Sequence, residues 1–276
     1  MLSLRELSQL AEAEYSIEST RQDLNKLVDW FMARDDQELA LTALGNERGF
    51  SSEELRRAKV FYVDYEMIVD EIPEEFRSEA LGMVRREYVI YAGRFVYPVM
   101  DVKGNVMGFC GWDKFSDGVK YLDSKNHGYK AKRSCFYGME RMDEYYRSDK
   151  PLFVVEGIVC CVYLRSKGFN AIALLGSKLY PYIIEVLKRF GNRCIIVPDN
   201  DIIGKTAEEI NENPKPAGEG FVNSAKRNLP EAVVIQSIID KDIDDSRKHR
   251  EVEDLFLSEL RELPNPFYFY KTIRVR

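Results

Sequence analysis

The spacing of apolar residues changes character twice along the chain. Up to about residue 45, apolar residues recur every three or four positions, which indicates amphipathic helices. From Tyr88 to Trp112, short apolar runs alternate with turn residues, a pattern typical of an antiparallel meander. Beyond residue 150, runs rich in Val and Ile alternate with helical stretches, which predicts βαβ units and a parallel sheet. We therefore expect an α/β fold in which a parallel-sheet domain follows an α+β subdomain that contains a small antiparallel meander.

The same pattern divides the 276 residues into three segments. Residues 1–148 are expected to form a helical and antiparallel-sheet subdomain with a basic template-binding face, and residues 74–86 within it are predicted to be helical. Residues 149–246 are expected to form the parallel-sheet domain, interrupted by a loop at 208–219 that is rich in Asn, Pro and Gly. Residues 247–276 are expected to form a C-terminal helix and tail.

Acidic residues follow three of the predicted parallel strands. They are Glu156, then Asp199 and Asp201, then Asp242 and Asp244. Because parallel strands end at one edge of a sheet, these five carboxylates are expected to lie close together, where they would repel one another without a cation. Their hard oxygen atoms favour Mg²⁺ or Mn²⁺, ions that hold substrate phosphates. The pattern therefore predicts phosphoryl transfer, and the alternative is that these side chains cap helix N-termini.

The distribution of charge indicates a nucleic-acid partner although the net charge is -6. Between residues 103 and 133, seven basic residues face only three acidic ones, a local excess of four positive charges. The basic residues are Lys103, Lys114, Lys120, Lys125, Lys130, Lys132 and Arg133. Such a stretch beside an acidic metal site suits an enzyme that acts on polynucleotides, and Tyr121 is a candidate for stacking on an unpaired base. The alternative is the solvated face of a small sheet.

The cysteines indicate the cellular compartment of the protein, and the hydropathy of the chain indicates whether it contacts a membrane. The five cysteines are an odd number and contain no C-x-x-C pair, so we expect no zinc and a reducing compartment. The sequence contains no run of about 20 apolar residues and no signal-peptide pattern at its start. These features predict a cytoplasmic protein without a membrane partner.

Two acidic motifs carry a first family resemblance. A strand followed by Glu156-Gly157, and a later strand followed by Asp199-x-Asp201-x-x-Gly204, together resemble the topoisomerase–primase (Toprim) fold. The resemblance implies that Glu156 acts as a general acid or base or as a metal ligand, and that the aspartates hold Mg²⁺. Two or more ions would then activate a 3′-hydroxyl and stabilise the departing pyrophosphate.

Upstream motifs narrow the resemblance to one enzyme family. The segment Arg94–Val99 is similar to the R-x-x-F-P-I segment of bacterial and phage DnaG-type primases, and Lys120–Ser124 is similar to their K-Y-L-N-S. Lys132 precedes Phe136-Tyr137-Gly138 as a lysine precedes L-Y-G in that family. The resemblance implies DNA-templated synthesis of RNA primers for DNA replication, from ribonucleoside triphosphates on single-stranded DNA.

The resemblance also implies roles for basic residues. Arg94, Lys120 and Lys132 are expected to act with Glu156 in catalysis by contacting the template backbone or the triphosphate. The predicted set of nucleic-acid and nucleotide contacts is Arg94, Lys103, Lys120, Lys130, Lys132, Arg133 and Tyr121.

Departures from the family leave other functions open. Cys160 stands four residues after Glu156, where the family usually has an acid, and Trp112 stands where many members have a basic residue. The zinc-binding and helicase domains of full-length primases are not recognisable, so we expect a stand-alone catalytic core, of a kind that phages encode. It would act in the bacterial cytoplasm, including that of a phage-infected host, with a separate replicative helicase and template-recognition partner. The alternatives are a Toprim nuclease that uses the same metals, or a non-catalytic DNA-binding replication accessory, which Cys160 suggests.

Overall fold

The computed structural model describes residues 18–113, 119–124, 135–199 and 217–235, together with Leu257. The chain divides into two compact units, Met1–Asp143 and Glu144–Arg276, and each is considered by itself. In the described parts of the chain, every helix is too short or too polar to cross a membrane.

Three helices open the described part of the first unit: α1 (Glu18–Met32), α2 (Gln37–Arg48) and α3 (Ser52–Arg57). Helix α2 ends at Gly49, whose φ of 68° is the left-handed conformation that glycine adopts at little cost. Ser51 then caps α3, because its side chain accepts a hydrogen bond from the Glu54 backbone N–H. The predicted helical character of this region is confirmed for the described residues.

An antiparallel sheet forms the centre of the first unit. Its strands are β1 (Phe61–Val63), β4 (Arg94–Met100), β5 (Val106–Trp112) and β6 (Tyr121–Asp123), in the order β1-β4-β5-β6. Phe31 of α1 stacks on Phe61 of β1 with ring centroids 4.5 Å apart, and this contact packs the helix onto the sheet. The predicted meander is confirmed for the strands Arg94–Met100 and Val106–Trp112, but the strand predicted from Tyr88 does not join this sheet. Strand β1, with only three residues, is too short for its alternation to be recognised in the sequence.

The helix predicted over residues 74–86 is wrong. The chain instead forms 3-10 turns at Glu74–Phe76 and Glu79–Leu81, followed by a small hairpin of β2 (Val84–Arg85) and β3 (Tyr88–Val89). The buried side chains here are Phe76, Leu81, Met83 and Val84, whose spacing gives no single helical face. Gly82 has a φ of 75°, which also interrupts any helix at this point.

A buried ion pair ties α3 to a distant segment of the same unit. The Arg141 guanidinium donates to both carboxylate oxygens of Glu54, at 2.7 and 2.8 Å, across 87 residues of sequence. Their side chains are only 6% and 7% exposed. A bidentate pair of this kind fixes the position of Arg141, because either charge alone would be costly to bury.

The second unit contains a four-stranded parallel sheet. After α4 (Met142–Arg147), the chain alternates through β7 (Leu152–Val155), α5 (Ile158–Ser166), β8 (Asn170–Ala173), α6 (Pro181–Lys188), β9 (Cys194–Val197), α7 (Ala217–Asn228) and β10 (Val233–Val234). The strand order is β10-β9-β7-β8, and every residue of the central strands β7 and β9 is buried. The predicted parallel sheet, and with it the α/β fold, is confirmed.

Candidate active site

Two of the predicted acidic residues lie next to each other at the carboxyl edge of the parallel sheet. Glu156 directly follows β7 and Asp199 lies two residues beyond β9, and the register pairs Val155 with Val197 in these neighbouring strands. The Asp199 backbone N–H donates to Glu156 Oε1 at 3.2 Å. Glu156 is 8% exposed. The structure therefore brings Glu156 and Asp199 together, and the Asp199 amide holds the acid in one orientation.

The backbone around Glu156 is shaped by the next strand and helix. The Gly176 N–H donates to the Glu156 carbonyl at 3.2 Å, which extends the pairing beyond β7 and β8. Leu175 has a φ of 59°, an uncommon left-handed conformation for a residue with a side chain, and strain of this kind is often found at functional sites. Gly157 precedes α5, and a Cβ added there would have no atom of the described residues within 4 Å.

The other predicted metal ligands, Asp201, Asp242 and Asp244, lie outside the described residues. Among the residues that are described, no three His, Cys, Asp or Glu side chains form a metal-binding group. Cys160 lies in the first turn of α5 and is 5% exposed, so it packs as a small apolar side chain where the family usually has an acid. Glu156 and Asp199 provide hard oxygen atoms, and this donor chemistry fits Mg²⁺ or Mn²⁺.

A group of cations lies at one end of the antiparallel sheet in the first unit. The register places Phe95, Trp112 and Tyr121 side by side on β4, β5 and β6, so the adjoining Arg94 and Lys120 lie at the same end. The Arg94 guanidinium donates to the Lys120 carbonyl at 3.1 Å. Lys120 and Tyr121 are exposed, and Tyr121 is 42% accessible. The structure therefore brings together Arg94, Lys120 and Tyr121, hereafter the cation cluster.

Lys103 lies elsewhere. It is in the turn between β4 and β5, where the Asp101 carboxylate accepts hydrogen bonds from the Lys103 and Asn105 N–H groups. This turn is at the opposite end of two seven-residue strands from Arg94, which corresponds to about 20 Å at the rise of an extended strand. Lys103 therefore does not join the cation cluster. Lys130, Lys132 and Arg133 lie outside the described residues.

Two neighbours of the cation cluster were not predicted as part of a site. The Asp113 carboxylate lies 3.8 Å from the Arg94 guanidinium and helps to orient it. Trp112 is 2% exposed, and the Arg48 guanidinium stacks over its ring at 4.4 Å from the centroid. Trp112 is therefore part of the core and is unsuited to stacking on bases. Asp113 follows Trp112 in the sequence, but only the strand register shows that Asp113 faces Arg94.

The second unit carries acidic residues at the carboxyl edge of its parallel sheet, and the first unit carries cations on its meander. Such features are typical of metal-dependent enzymes that act on nucleic-acid phosphates.

Residues 31–143 match the family model of the DNA primase catalytic core, N-terminal domain. The DNA primase of Escherichia coli K12 is 32% identical over 123 residues, which cover 44% of this chain and 21% of the relative. The chain spans only about a fifth of the length of curated relatives such as this one.

Solved structures show a similar fold over most of the chain. The DnaG catalytic core superimposes with a TM-score of 0.69 and 24% identity, covering 88% of this chain and 80% of that one. The DnaG primase catalytic domain bound to single-stranded DNA superimposes with a TM-score of 0.66 and 22% identity, covering 88% and 82%. Residues 31–143 therefore match the N-terminal domain of the DNA primase catalytic core, and the fold resembles that of DnaG catalytic cores, in agreement with the resemblance read from the sequence.

Proposed function

We propose that this chain synthesises short RNA primers for DNA replication on single-stranded DNA, by metal-dependent nucleotidyl transfer. The contact between Glu156 and Asp199 at the carboxyl edge of the parallel sheet carries the proposal, because it supplies acidic chemistry to a chain with the fold of a primase catalytic core. The matched relatives are themselves DNA primases, which supports the same activity here.

The divalent ions would be held by the acidic edge of the second unit. We assign Glu156 and Asp199 as ligands of Mg²⁺ or Mn²⁺, together with Asp201, Asp242 and Asp244. Bound there, two or more such ions would supply positive charge that stabilises a transferring phosphoryl group and lowers the pKa of an attacking hydroxyl. The Asp199 N–H fixes the Glu156 carboxylate before any ligand arrives, so little reorganisation is needed on binding. Glu156 is also placed to move a proton as a general acid or base.

The basic residues would bind the strand and the incoming nucleotide. Lys120 and Tyr121 are exposed at one end of the meander, and Arg94 is oriented there by Asp113 and by the Lys120 carbonyl. Arg94, Lys120 and Lys132 would neutralise phosphates, with Lys103, Lys130 and Arg133 adding contacts and Tyr121 stacking on a base. A structurally similar DnaG primase catalytic domain binds single-stranded DNA. The substrates would be a single-stranded DNA template and ribonucleoside triphosphates, with a separate helicase and template-recognition partner.

A primer-synthesis assay tests the proposal directly. The chain would be incubated with single-stranded DNA and labelled ribonucleoside triphosphates, in Mg²⁺, in Mn²⁺ and in EDTA. We expect short labelled RNA with either metal and none in EDTA or with Glu156→Gln. Degradation of the template without synthesis would instead establish the Toprim nuclease, and template binding without either reaction would establish a non-catalytic accessory.

A further inference from the structure

A cavity of about 390 Å³ opens in the first unit beside the β2–β3 hairpin and the end of β6. This hairpin cavity does not include Arg94 or Lys120 in its lining, so it is separate from the cation cluster. Its volume lies within the range of roughly 300–1,000 Å³ that is usual for small-molecule sites. The polar and aromatic residues of its lining are Arg85, Arg86, Tyr88, Tyr91, Asp123 and Ser124.

Two exposed arginines flank the cavity. Arg85 and Arg86 are adjacent in the hairpin, and in the described part of the chain neither guanidinium forms an ion pair. Arg86 has a φ of 57°, the left-handed conformation that favours glycine, and its N–H donates to a Glu79 carboxylate oxygen at 3.0 Å. A long cationic side chain does not stabilise the turn at a position where glycine is favoured. The pair is therefore placed to hold an anion, and guanidinium groups match phosphate well.

Aromatic rings form the other part of the cavity. Tyr88 pairs with Arg85 across the hairpin and is 73% exposed, so its ring face is available for stacking. Tyr91 is fully buried, and among the described residues its hydroxyl has no hydrogen-bond partner. Burial raises the pKa of Tyr91 overall, so the hydroxyl keeps its proton and remains a donor.

Asp123 also lines the cavity and adds a carboxylate to the residues around it. A carboxylate repels phosphate but accepts hydrogen bonds from the amino group of cytosine. A ligand with an anionic part and an amino-bearing planar part would place the first on the arginines and the second near Asp123. A nucleotide has both parts.

We propose that the hairpin cavity binds one unpaired nucleotide of a single-stranded DNA, with Arg85 and Arg86 on its phosphates, Tyr88 against its base and Asp123 as acceptor for a base amino group. The choice of DNA rests on the proposed function, whereas the recognition of a nucleotide rests on the cavity alone. Because thymine is the one DNA base without an exocyclic amino group, the cavity should favour cytosine over thymine.

The test is fluorescence anisotropy with labelled oligodeoxycytidine and oligodeoxythymidine in EDTA, over a range of salt concentrations. Tyr88→Leu should weaken binding by roughly 5- to 150-fold, the effect of losing one base stack. Arg85→Ala combined with Arg86→Gly should make the slope of log K against log salt shallower by about 1.4, since each lost phosphate contact on a single strand accounts for about 0.7. Asp123→Asn should lower the preference for cytosine over thymine.

Controls separate these effects from general charge and from misfolding. Arg56→Ala removes the same charge from an exposed side chain that does not line the cavity, and it should bind as the wild type does. Arg86→Gly relieves the left-handed conformation, so circular dichroism should show an intact fold. Folded cavity variants with wild-type affinity and salt slope would overturn the proposal. Displacement by dCMP at concentrations near those of the oligonucleotide would overturn DNA as the ligand.

The binding and primer-synthesis assays together distinguish failure of the cavity proposal from failure of the proposed function. A wild-type chain that binds the oligonucleotide through the cavity but makes no primers would contradict primer synthesis alone. A chain that makes primers but binds DNA equally well after the cavity substitutions would contradict the cavity alone.

Discussion

The acidic edge of the second unit and the cation cluster of the first bring distant residues together in different ways. The Asp199 backbone N–H lies 3.2 Å from Glu156 Oε1 across 43 residues of sequence, while the Arg94 guanidinium lies 3.1 Å from the Lys120 carbonyl across 26. Glu156 and Asp199 come together because adjacent parallel strands end at one edge of their sheet. Arg94 and Lys120 come together because of the strand register, which aligns the start of β4 with the start of β6 across β5.

Both arrangements depend on strand register, because a one-residue slip of a strand moves each of its side chains to the opposite face of the sheet. In the first unit such a slip would separate Arg94 from Asp113 and Lys120. The two regions differ in what a substitution removes. Substitution of an acid should remove a charge assigned to metal binding, whereas several substitutions in the first unit should act through its packing.

The largest effect is expected at the acidic edge. Asp199→Asn should lower the rate of primer synthesis by roughly 10²- to 10⁴-fold, because it removes a charge assigned to metal binding while leaving the backbone N–H that orients Glu156. Labelled primer formation measures the rate. Glu185→Gln, an exposed acid of the same unit, is the matched control and should leave synthesis unchanged. A nearly normal rate for Asp199→Asn would show that the acids do not form the active site.

Next comes the buried ion pair of the first unit. Glu54→Ala should lower the free energy of unfolding by about 3–5 kcal/mol, because the buried Arg141 would lose its bidentate partner and keep only Glu140, 3.5 Å from its Nε. Urea denaturation measures the loss. Replacing both Glu54 and Arg141 with methionine should restore most of the stability, since both charges of the bidentate pair are then removed. Equal losses in the single and double variants would show that the packing, and not the charge, matters.

Gly111→Ala should have an intermediate effect. An added Cβ would lie 2.4 Å from Tyr91 Cδ1 and 3.1 Å from Arg94 Cδ, so the ring and the guanidinium must both move. We expect a loss of about 1–3 kcal/mol in unfolding free energy, with weaker DNA binding as Arg94 is displaced. Gly220→Ala on α7 is the control, because its Cβ meets open space and a helical alanine is favourable by up to about 1 kcal/mol. Similar melting curves for both variants would contradict tight packing behind Arg94.

The smallest effect is expected for Lys120→Ala. Lys120 is exposed, so its removal should leave stability unchanged and weaken single-stranded DNA binding by only a few-fold. The slope of log K against log salt should become shallower by about 0.7, the value for one phosphate contact. Anisotropy at several salt concentrations measures both quantities. Lys188→Ala, an exposed lysine in the second unit, should change neither, and equal behaviour of the two variants would remove Lys120 from the interface.

The sequence was most informative where apolar runs are long and most misleading where elements are short. The alternation after residue 150 predicted β7, α5, β8 and β9, and so predicted which acids follow strands. The segment 74–86 was misjudged because its helix-like composition lacks a continuous apolar face, and the chain forms 3-10 turns and a hairpin there. That same hairpin borders the cavity, which no sequence pattern indicated.

Sequence alone determined the alternation of strands and helices after residue 150, the family resemblance and the positions of Glu156 and Asp199 after buried strands. These properties depend on local periodicity and on a general rule of parallel sheets, which a linear pattern contains. Only the tertiary structure decided that Asp113 orients Arg94, that Lys103 lies apart from it, and that Trp112 is buried beneath Arg48. Those outcomes depend on strand register and side-chain packing between residues far apart in the chain, which no local pattern specifies.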